Sequence, residues 1–415
     1  MLQLLKYILA IPQFYFVFYT WLMFLSVIGV ILFRVRYRKT EKPVQVYKRF
    51  AVMLPAYKAN RQLIHVIEAC ISQDYPANKF DVFVLAQHCN EEIVSEARAK
   101  GAVVFEQTFD DCNGNPYLHA LNYFVREIER YGTENRYDAI VLVDKDNLLT
   151  INFLAVINQR FQQGHRAVQG VRRPLNLDTN AACMDFVSEI MNDSMFRAAK
   201  ASTGLSVEIS GSGMAFDFEL YKQAISSVDF QSPIHDKTFL IELIKRNVAI
   251  FFEPNAILFE EKTDSFQSIQ NQRVRWIGGQ IYLCRHNFFR LIRMGIQQLR
   301  LAPIDYAFTL SKIPRALHVA GLGFWILFAL LLPQVSIISG FAWTLYLAGY
   351  FISILAFLML SNTPRQVYRA LITSPFFIFH IAVSTVKGMN KKINGRFIHT
   401  DHKKVVTLHD VNNES

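Results

Sequence analysis

The chain has 415 residues, enough for one large domain plus membrane segments, and 52% of them are hydrophobic, a high fraction for a purely soluble protein. Lys and Arg outnumber Asp and Glu by 44 to 34. Much of that excess sits beside apolar runs and no aromatic-interleaved basic repeat occurs, so anionic lipid rather than nucleic acid is the expected partner. The five cysteines, Cys70, Cys89, Cys112, Cys183 and Cys284, show no CxxC or metal spacing and read as packing residues.

Residues 12 to 33, PQFYFVFYTWLMFLSVIGVILF, carry no charge and are long enough to cross a hydrocarbon core of about 30 Å. Residues 1 to 35 are therefore expected to be a transmembrane segment; a cleaved signal peptide would have a shorter apolar region and a small-residue cleavage site. The Arg- and Lys-rich stretch RVRYRKTEKPVQVYKR follows and marks the cytoplasmic side, which places the middle of the chain in the cytosol.

From about residue 48 to 170, short apolar runs alternate with helical segments. Strands are expected at 50–56, 80–86, 102–107 and 138–144, with helices at 61–73, 91–100 and 117–132 between them. This order with uniformly apolar strands implies a parallel sheet covered by helices on both faces, and ligands of such sheets bind beyond the carboxyl ends of the strands. Asp144, Lys145, Asp146 and Asn147 stand at such an end. Two carboxylates two residues apart there can hold magnesium or manganese; a solvated turn is the competing reading.

A second section, 166 to 265, begins with a strand AVQGVRR and a long helix from Asn180 to Ala201. In ISGSGMAFDF, 209 to 218, the glycines around Ser212 suit either close backbone approach to a ligand or a tight hairpin turn. Asp236 then precedes a helix running to about Asn247, either as its N-cap or as a general base held at a cleft. In QNQRVRWIGGQ, 270 to 280, a helix places Gln272, Arg275 and Trp276 on one face. From the residues alone this is an ordinary helix edge or a tryptophan anchoring an amphipathic helix at the membrane interface.

Residues 281 to 315 mix arginines with Phe and Ile as interfacial amphipathic helices do. Runs 317–333 and 335–360 are expected to form a hairpin of membrane spans within a C-terminal region, 316–390. The 371–386 run is expected to be interfacial or re-entrant, because the basic stretch that follows belongs in the cytosol with the tail, 391–415. That gives three spans, or four if 371–386 crosses.

In this order the motifs resemble membrane-bound glycosyltransferase family 2, the group of cellulose, chitin and hyaluronan synthases. PAYKANRQL (55–63), ISQDYP (71–76), DKDN (144–147), GSG (211–213), His235-Asp236 and QRVRW (272–276) look like the family's successive motifs. The resemblance implies an α/β, glycosyltransferase A-type nucleotide-sugar-binding domain over 48–280 and an inverting, metal-dependent transfer from a nucleotide-diphosphate sugar, by default a UDP-sugar. By the resemblance, Asp144 and Asp146 bind Mg2+ or Mn2+, and Asp236 is the catalytic base. Pro55, Ala56, Tyr57, Gln87, Asp144, Lys145 and Arg275 bind the nucleotide-sugar, while Ser212, Gly213, His235, Gln272 and Trp276 bind a glycan or lipid-linked acceptor. The location implied is the cytosolic face of the cell membrane, in polysaccharide synthesis.

Three positions depart from the family pattern: Ala59 or Asn60 stands where a Glu is usual, Gln87 where an Asp reads the uracil ring, and Gly114-Asn115-Pro116 where Lys-Gly precedes a helix. A second function class is therefore a catalytically weak or inactive homologue serving as a membrane scaffold or partner subunit. So few spans also suit a homo-oligomer or an export partner. A nicotinamide-dependent dehydrogenase is excluded, because no GxGxxG follows the first strand.

Overall fold

The computed structural model describes residues 2–37, 46–132, 136–263 and 265–388. The basic tail expected at 391–415 and part of the basic stretch after the first span lie outside them. Helix α1 (Leu2–Arg36) takes in the whole first apolar run and ends on Arg34 and Arg36. Ile11, Phe14, Phe18, Trp21, Leu25 and Ile28 form an exposed stripe at helical spacing, while Tyr19, Met23 and Val30 are buried against the rest of the molecule.

The α/β domain opens with β1 (Phe50–Tyr57), α2 (Gln62–Ile71), β2 (Phe80–Gln87), α3 (Glu91–Ala99), β3 (Val103–Glu106), α4 (Pro116–Tyr131) and β4 (Ala139–Leu142), each within two residues of its expected limits. It continues through β5 (Leu148–Leu149), α5 (Phe153–Gln162) and β6 (Ala167–Pro174) to α6 (Asn180–Asn192) and α7 (Ala199–Thr203). Next come β7 (Met214–Asp217), α8 (Phe218–Ile225), α9 (His235–Lys245) and β8 (Phe251–Glu260).

The eight strands form one sheet in the order β3-β2-β1-β4-β7-β6-β8-β5. Residues of β1 alternate between its faces. Phe50, Val52 and Leu54 enter one core with Val82, Val84 and Phe153, whereas Ala51 and Met53 enter another with Phe83, Leu85 and Phe124. Burial on both sides explains the unbroken apolar pattern of the strand, each large side chain contributing roughly 1.5–3 kcal/mol.

From β1 the chain steps outward to β2 and β3, then returns through α4 to lay β4 on the other side of β1. That reversal opens a crevice at the carboxyl ends of β1 and β4. The start of α4 is fixed locally: Pro116 occupies its first turn, and the Asn115 side chain accepts from the Tyr117 N–H at 3.0 Å.

The second section departs from its expected form in three ways. Strand β7 runs antiparallel to both β4 and β6, so the sheet is mixed. The helix expected from Asn180 to Ala201 is interrupted by a π-helical turn at Asp193–Ala198, where the buried Asp193 carboxylate pairs with Arg197. The glycine-rich 211–213 segment leads into β7 from a loop and makes no hairpin.

Beyond the sheet, α10 (Phe266–Gln297) is a single helix of 32 residues, so the boundary expected at 280 falls inside it. It is followed by α11 (Leu301–Ser311), α12 (Arg315–Leu331), α13 (Gly340–Leu360), α14 (Arg365–Ala370) and α15 (Ser374–Gly388). Among the described residues, three helices are long and apolar enough to cross a membrane: Gln3–Arg36, Gly340–Leu360 and Arg365–Thr385. The 371–386 run, expected to be interfacial or re-entrant, thus falls largely within a helical stretch long and apolar enough to cross a membrane. The expected 317–333 span reaches that length only with α11, across a 72° bend. Trp325, Trp343, Tyr350 and Phe357 are buried in the same core as the α4 face of the sheet, so the C-terminal apolar helices and the α/β domain share one core.

Candidate active site

A cavity of about 470 Å3 opens at the carboxyl ends of β1 and β4 and extends to the start of α12. Pro55, Tyr57, Asp144, Lys145, Asp146, His235, Asp236, Gln272, Arg275 and Trp276 all line it. Thus four segments, from 55–57 to 272–276, meet in one space.

Asp144 follows β4, and its N–H donates to Ser212 Oγ at 3.0 Å. The Lys145 ammonium turns back to donate to the Tyr57 carbonyl at 2.6 Å, bridging the ends of β1 and β4. Burial, followed by the neighbouring Asp146, pushes the Asp144 carboxyl up to about 7. Two acidic groups crowded in this way fit a divalent cation, which would relieve their repulsion and accept hard oxygen ligands. Buried Asn147 Oδ1 and His235 Nε2, both without a partner, add unfilled acceptor positions at the same end. Among the described residues no three His, Cys, Asp or Glu side chains form a complete metal cage, so Asp144 and Asp146 would share the ion with ligand oxygens.

Ser212 and Gly213, expected at the acceptor, instead lie beneath the cavity wall. Ser212 is fully buried as the support of Asp144, and a Cβ on Gly213, whose φ is +65°, would fall 1.8 Å from Leu258. Ala56 is buried in the sheet. Gln87 is also buried, at the end of β2 in register with Tyr57, and its carbonyl accepts from the Lys58 N–H at 2.8 Å. None of these four lines the cavity.

Asp236 stands in the first turn of α9 and is not its N-cap; Ile234 holds that position without a side-chain bond. The Asp236 carboxylate accepts from the Lys237 N–H at 2.7 Å. His235 beside it is held below its usual range, first by burial and then by Arg275, so its ring is neutral near pH 7. Tyr117, at the start of α4, packs on that ring with centroids 4.5 Å apart. Its hydroxyl is buried without a partner. Burial, then Asp144 among the nearby acids, keeps it protonated.

Helix α10 carries the opposite wall. Arg275 lies within electrostatic reach of Asp236 and Asp144, although burial lowers its affinity for the proton. Gln272 presents a buried Oε1 without a partner. Trp276 lines the cavity with the Arg273 guanidinium 5.1 Å from its ring, and Arg273 is tied to Asp185 at 2.9 Å. The helix can approach this closely because position 279 is glycine: a Cβ there would meet Ile234 at 2.8 Å.

Sequence reasoning passed over Tyr117 and a buried charge network at the back of the cavity. The Asn-Pro helix start was the available signal for Tyr117. In the network, Arg172 donates to Glu189 at 2.8 Å and to Glu260 at 3.1 Å. Burial alone would raise the Glu189 carboxyl, but Arg172, Arg197 and Lys262 hold it well below the usual carboxylate range.

Comparison with known proteins agrees with the architecture. The fold is similar to that of a mannosyltransferase from Pyrobaculum calidifontis, PcManGT, solved with GDP-Man and Mn2+ (17% identity, TM-score 0.57, covering 94% of this chain and 100% of that one). Weaker likenesses include glucosyl-3-phosphoglycerate synthase from Mycobacterium tuberculosis with Mg2+ and UDP (16% identity, TM-score 0.40, 59% and 84% covered). TarS from S. aureus with UDP-GlcNAc is another (11% identity, TM-score 0.37, 83% and 90% covered). A search of curated proteins gives no match. The family model described as "Glycosyltransferase like family 2" matches residues 48–279, more than half of the chain. The chain therefore belongs to glycosyltransferase family 2.

Proposed function

We propose that this protein is an inverting glycosyltransferase that moves a sugar from a nucleotide-diphosphate sugar, by default a UDP-sugar, to a hydroxyl of a glycan or lipid-linked acceptor at the cytosolic face of the membrane. The observation that carries this reading is the convergence of Asp144, Asp146, Asp236, Gln272, Arg275 and Trp276 on one cavity. A scaffold has no physical need for that set.

In this reading Asp144 and Asp146 would hold Mg2+ or Mn2+, which when bound would supply Lewis-acid charge for the leaving diphosphate. Lys145 fixes the loop that carries both carboxylates. Arg275 has the fork of donors to hold phosphate oxygens. Asp236 removes the proton from the acceptor hydroxyl as its oxygen bonds to the anomeric carbon. The bond from that carbon to the diphosphate oxygen breaks on the opposite side, its electron pair leaves with the nucleoside diphosphate, and the configuration inverts in one displacement. Trp276 supplies an apolar face for the acceptor sugar ring. His235, being neutral, can offer its unpartnered Nε2 as a hydrogen-bond acceptor or a ligand atom. Residues 48–280 form the transferase unit, with α1 and the helices after α10 in the bilayer.

The product's stereochemistry tests the displacement. Transfer from an α-linked donor should give a β-linked product by proton NMR; retention would contradict a single displacement with Asp236 as base.

A further inference from the structure

The cavity is also lined by residues of α6, α10, α12 and α15, a part termed its second lobe. Four cations along the cavity are paired with carboxylates: Arg172 with Glu189 and Glu260, Arg197 with Glu189, Lys262 with Glu260, and Arg273 with Asp185. Lys312 and Arg315 make no such contact pair, although the Glu208 carboxylate lies within electrostatic reach of both. Among the described residues neither has a carboxylate within ion-pair distance. The Lys312 ammonium sits 4.0 Å from the Met195 sulfur and over the Phe196 ring at 5.2 Å. Arg315 donates only to neutral oxygens, Asn192 Oδ1 at 2.9 Å and Ser188 Oγ at 2.7 Å.

The first turn of α12 begins at Arg315, and Ile313 and Pro314 just ahead of it line the same lobe. Its N-terminal N–H groups thus add partial positive charge. The lobe is also amphiphilic, since Ala316, Phe377 and Ile381 from the apolar helices α12 and α15 complete its wall. Glu208, buried in the same lobe, has an Oε1 without a partner, which calls for a ligand donor such as a hydroxyl.

We propose that this lobe binds the phosphate of an amphiphilic acceptor, a membrane lipid with an anionic phosphate and a hydroxylated head. Lys312, Arg315 and the α12 N-terminus hold the phosphate, Glu208 accepts from a head hydroxyl, and Phe377 and Ile381 meet the chain. The proposal rests on the transferase reading and specifies its acceptor class. A free phosphate compound shares the anionic chemistry but leaves the apolar wall unused.

The test uses the full chain in neutral detergent, with bound lipid measured by native mass spectrometry. Phosphatidylglycerol supplies phosphate, hydroxyls and acyl chains; diacylglycerol lacks the phosphate, and glycerol phosphate lacks the chains. The wild type should retain phosphatidylglycerol at least tenfold better than diacylglycerol, and glycerol phosphate should displace it poorly. Lys312→Met, which keeps the Met195 and Phe196 contacts, and Arg315→Gln should each weaken retention about tenfold, and Lys312→Arg should restore most of it. A thermal melt of each variant checks folding. Equal retention by Lys312→Met and wild type, or of diacylglycerol and phosphatidylglycerol, would overturn the proposal, as would full displacement by equimolar glycerol phosphate. Nucleotide binding by the wild type is scored separately, so its absence would refute the transferase reading without obscuring the lipid comparison.

Discussion

At the sheet end of the cavity, Asp144, Asp146 and His235-Asp236 project from a strand end and a helix start, each within a short run of sequence. At the other end, the Lys312–Arg315 segment, Glu208 and Phe377 come from three separate places in the chain. The first arrangement builds charge to be met by a cation and a diphosphate. The second holds two cations out of direct ion-pair contact, with Glu208 nearby, beside apolar helices. One cavity thus has one end suited to a nucleotide and metal and another suited to an amphiphile, with Trp276 between them.

The largest effect should come from the centre. Replacing Asp236 by Asn removes the proposed base but keeps its shape, and transfer should fall by about 10²–10⁴-fold, while donor binding by calorimetry stays near the wild-type value. Asp146→Asn should cut turnover on the order of 10²-fold and weaken nucleotide binding only when Mn2+ is present. Loss of activity without that metal-linked loss of binding would argue that the two carboxylates serve folding instead.

Trp276→Ala should raise the acceptor KM by about 2- to 10-fold, with donor KM little changed and Trp276→Phe recovering most of the loss. A larger donor effect would move Trp276 to the nucleotide end.

The smallest effect is a stability change with pH. The Asp144 carboxyl titrates near 7 when folded and near 3.9 when unfolded. Its charge therefore costs stability above that window and nothing below it. Without divalent cations, Asp144→Asn should melt higher than the wild type at pH 8, by roughly 2–4 °C per kcal/mol released, and the gain should fade as pH drops towards 4. A gain independent of pH would remove the crowding argument.

The alternation of strands and helices from 48 to 170 was readable because both faces of each strand are buried and each helix has a clear apolar side. The strand-end acids were readable for the same reason, since a sheet's carboxyl edge is fixed by strand order. Ser212 was misread in place because its sequence environment, glycine on both sides, looks alike whether it meets a ligand or supports the Asp144 N–H. The π-helical turn at Asp193–Ala198 depends on a buried ion pair that periodicity does not carry. Lys312 stood in the sequence as one more basic residue near a membrane run. Its seat over Phe196 and beside Met195, out of direct contact with a carboxylate, is a property of three-dimensional packing alone. The departures at Ala59, Asn60 and Gln87 fall outside the cavity wall, whereas Asn115 of the third departure lines it.

The central claim is that this cavity turns over a nucleotide sugar. The direct measurement is release of nucleoside diphosphate by the full chain in detergent with Mn2+ or Mg2+, offered UDP- and GDP-sugars in turn with added lipid extract. The account predicts release from at least one donor, abolished in Asp236→Asn. Binding and turnover of none of them would contradict it and favour a scaffold that has kept the residues without the reaction.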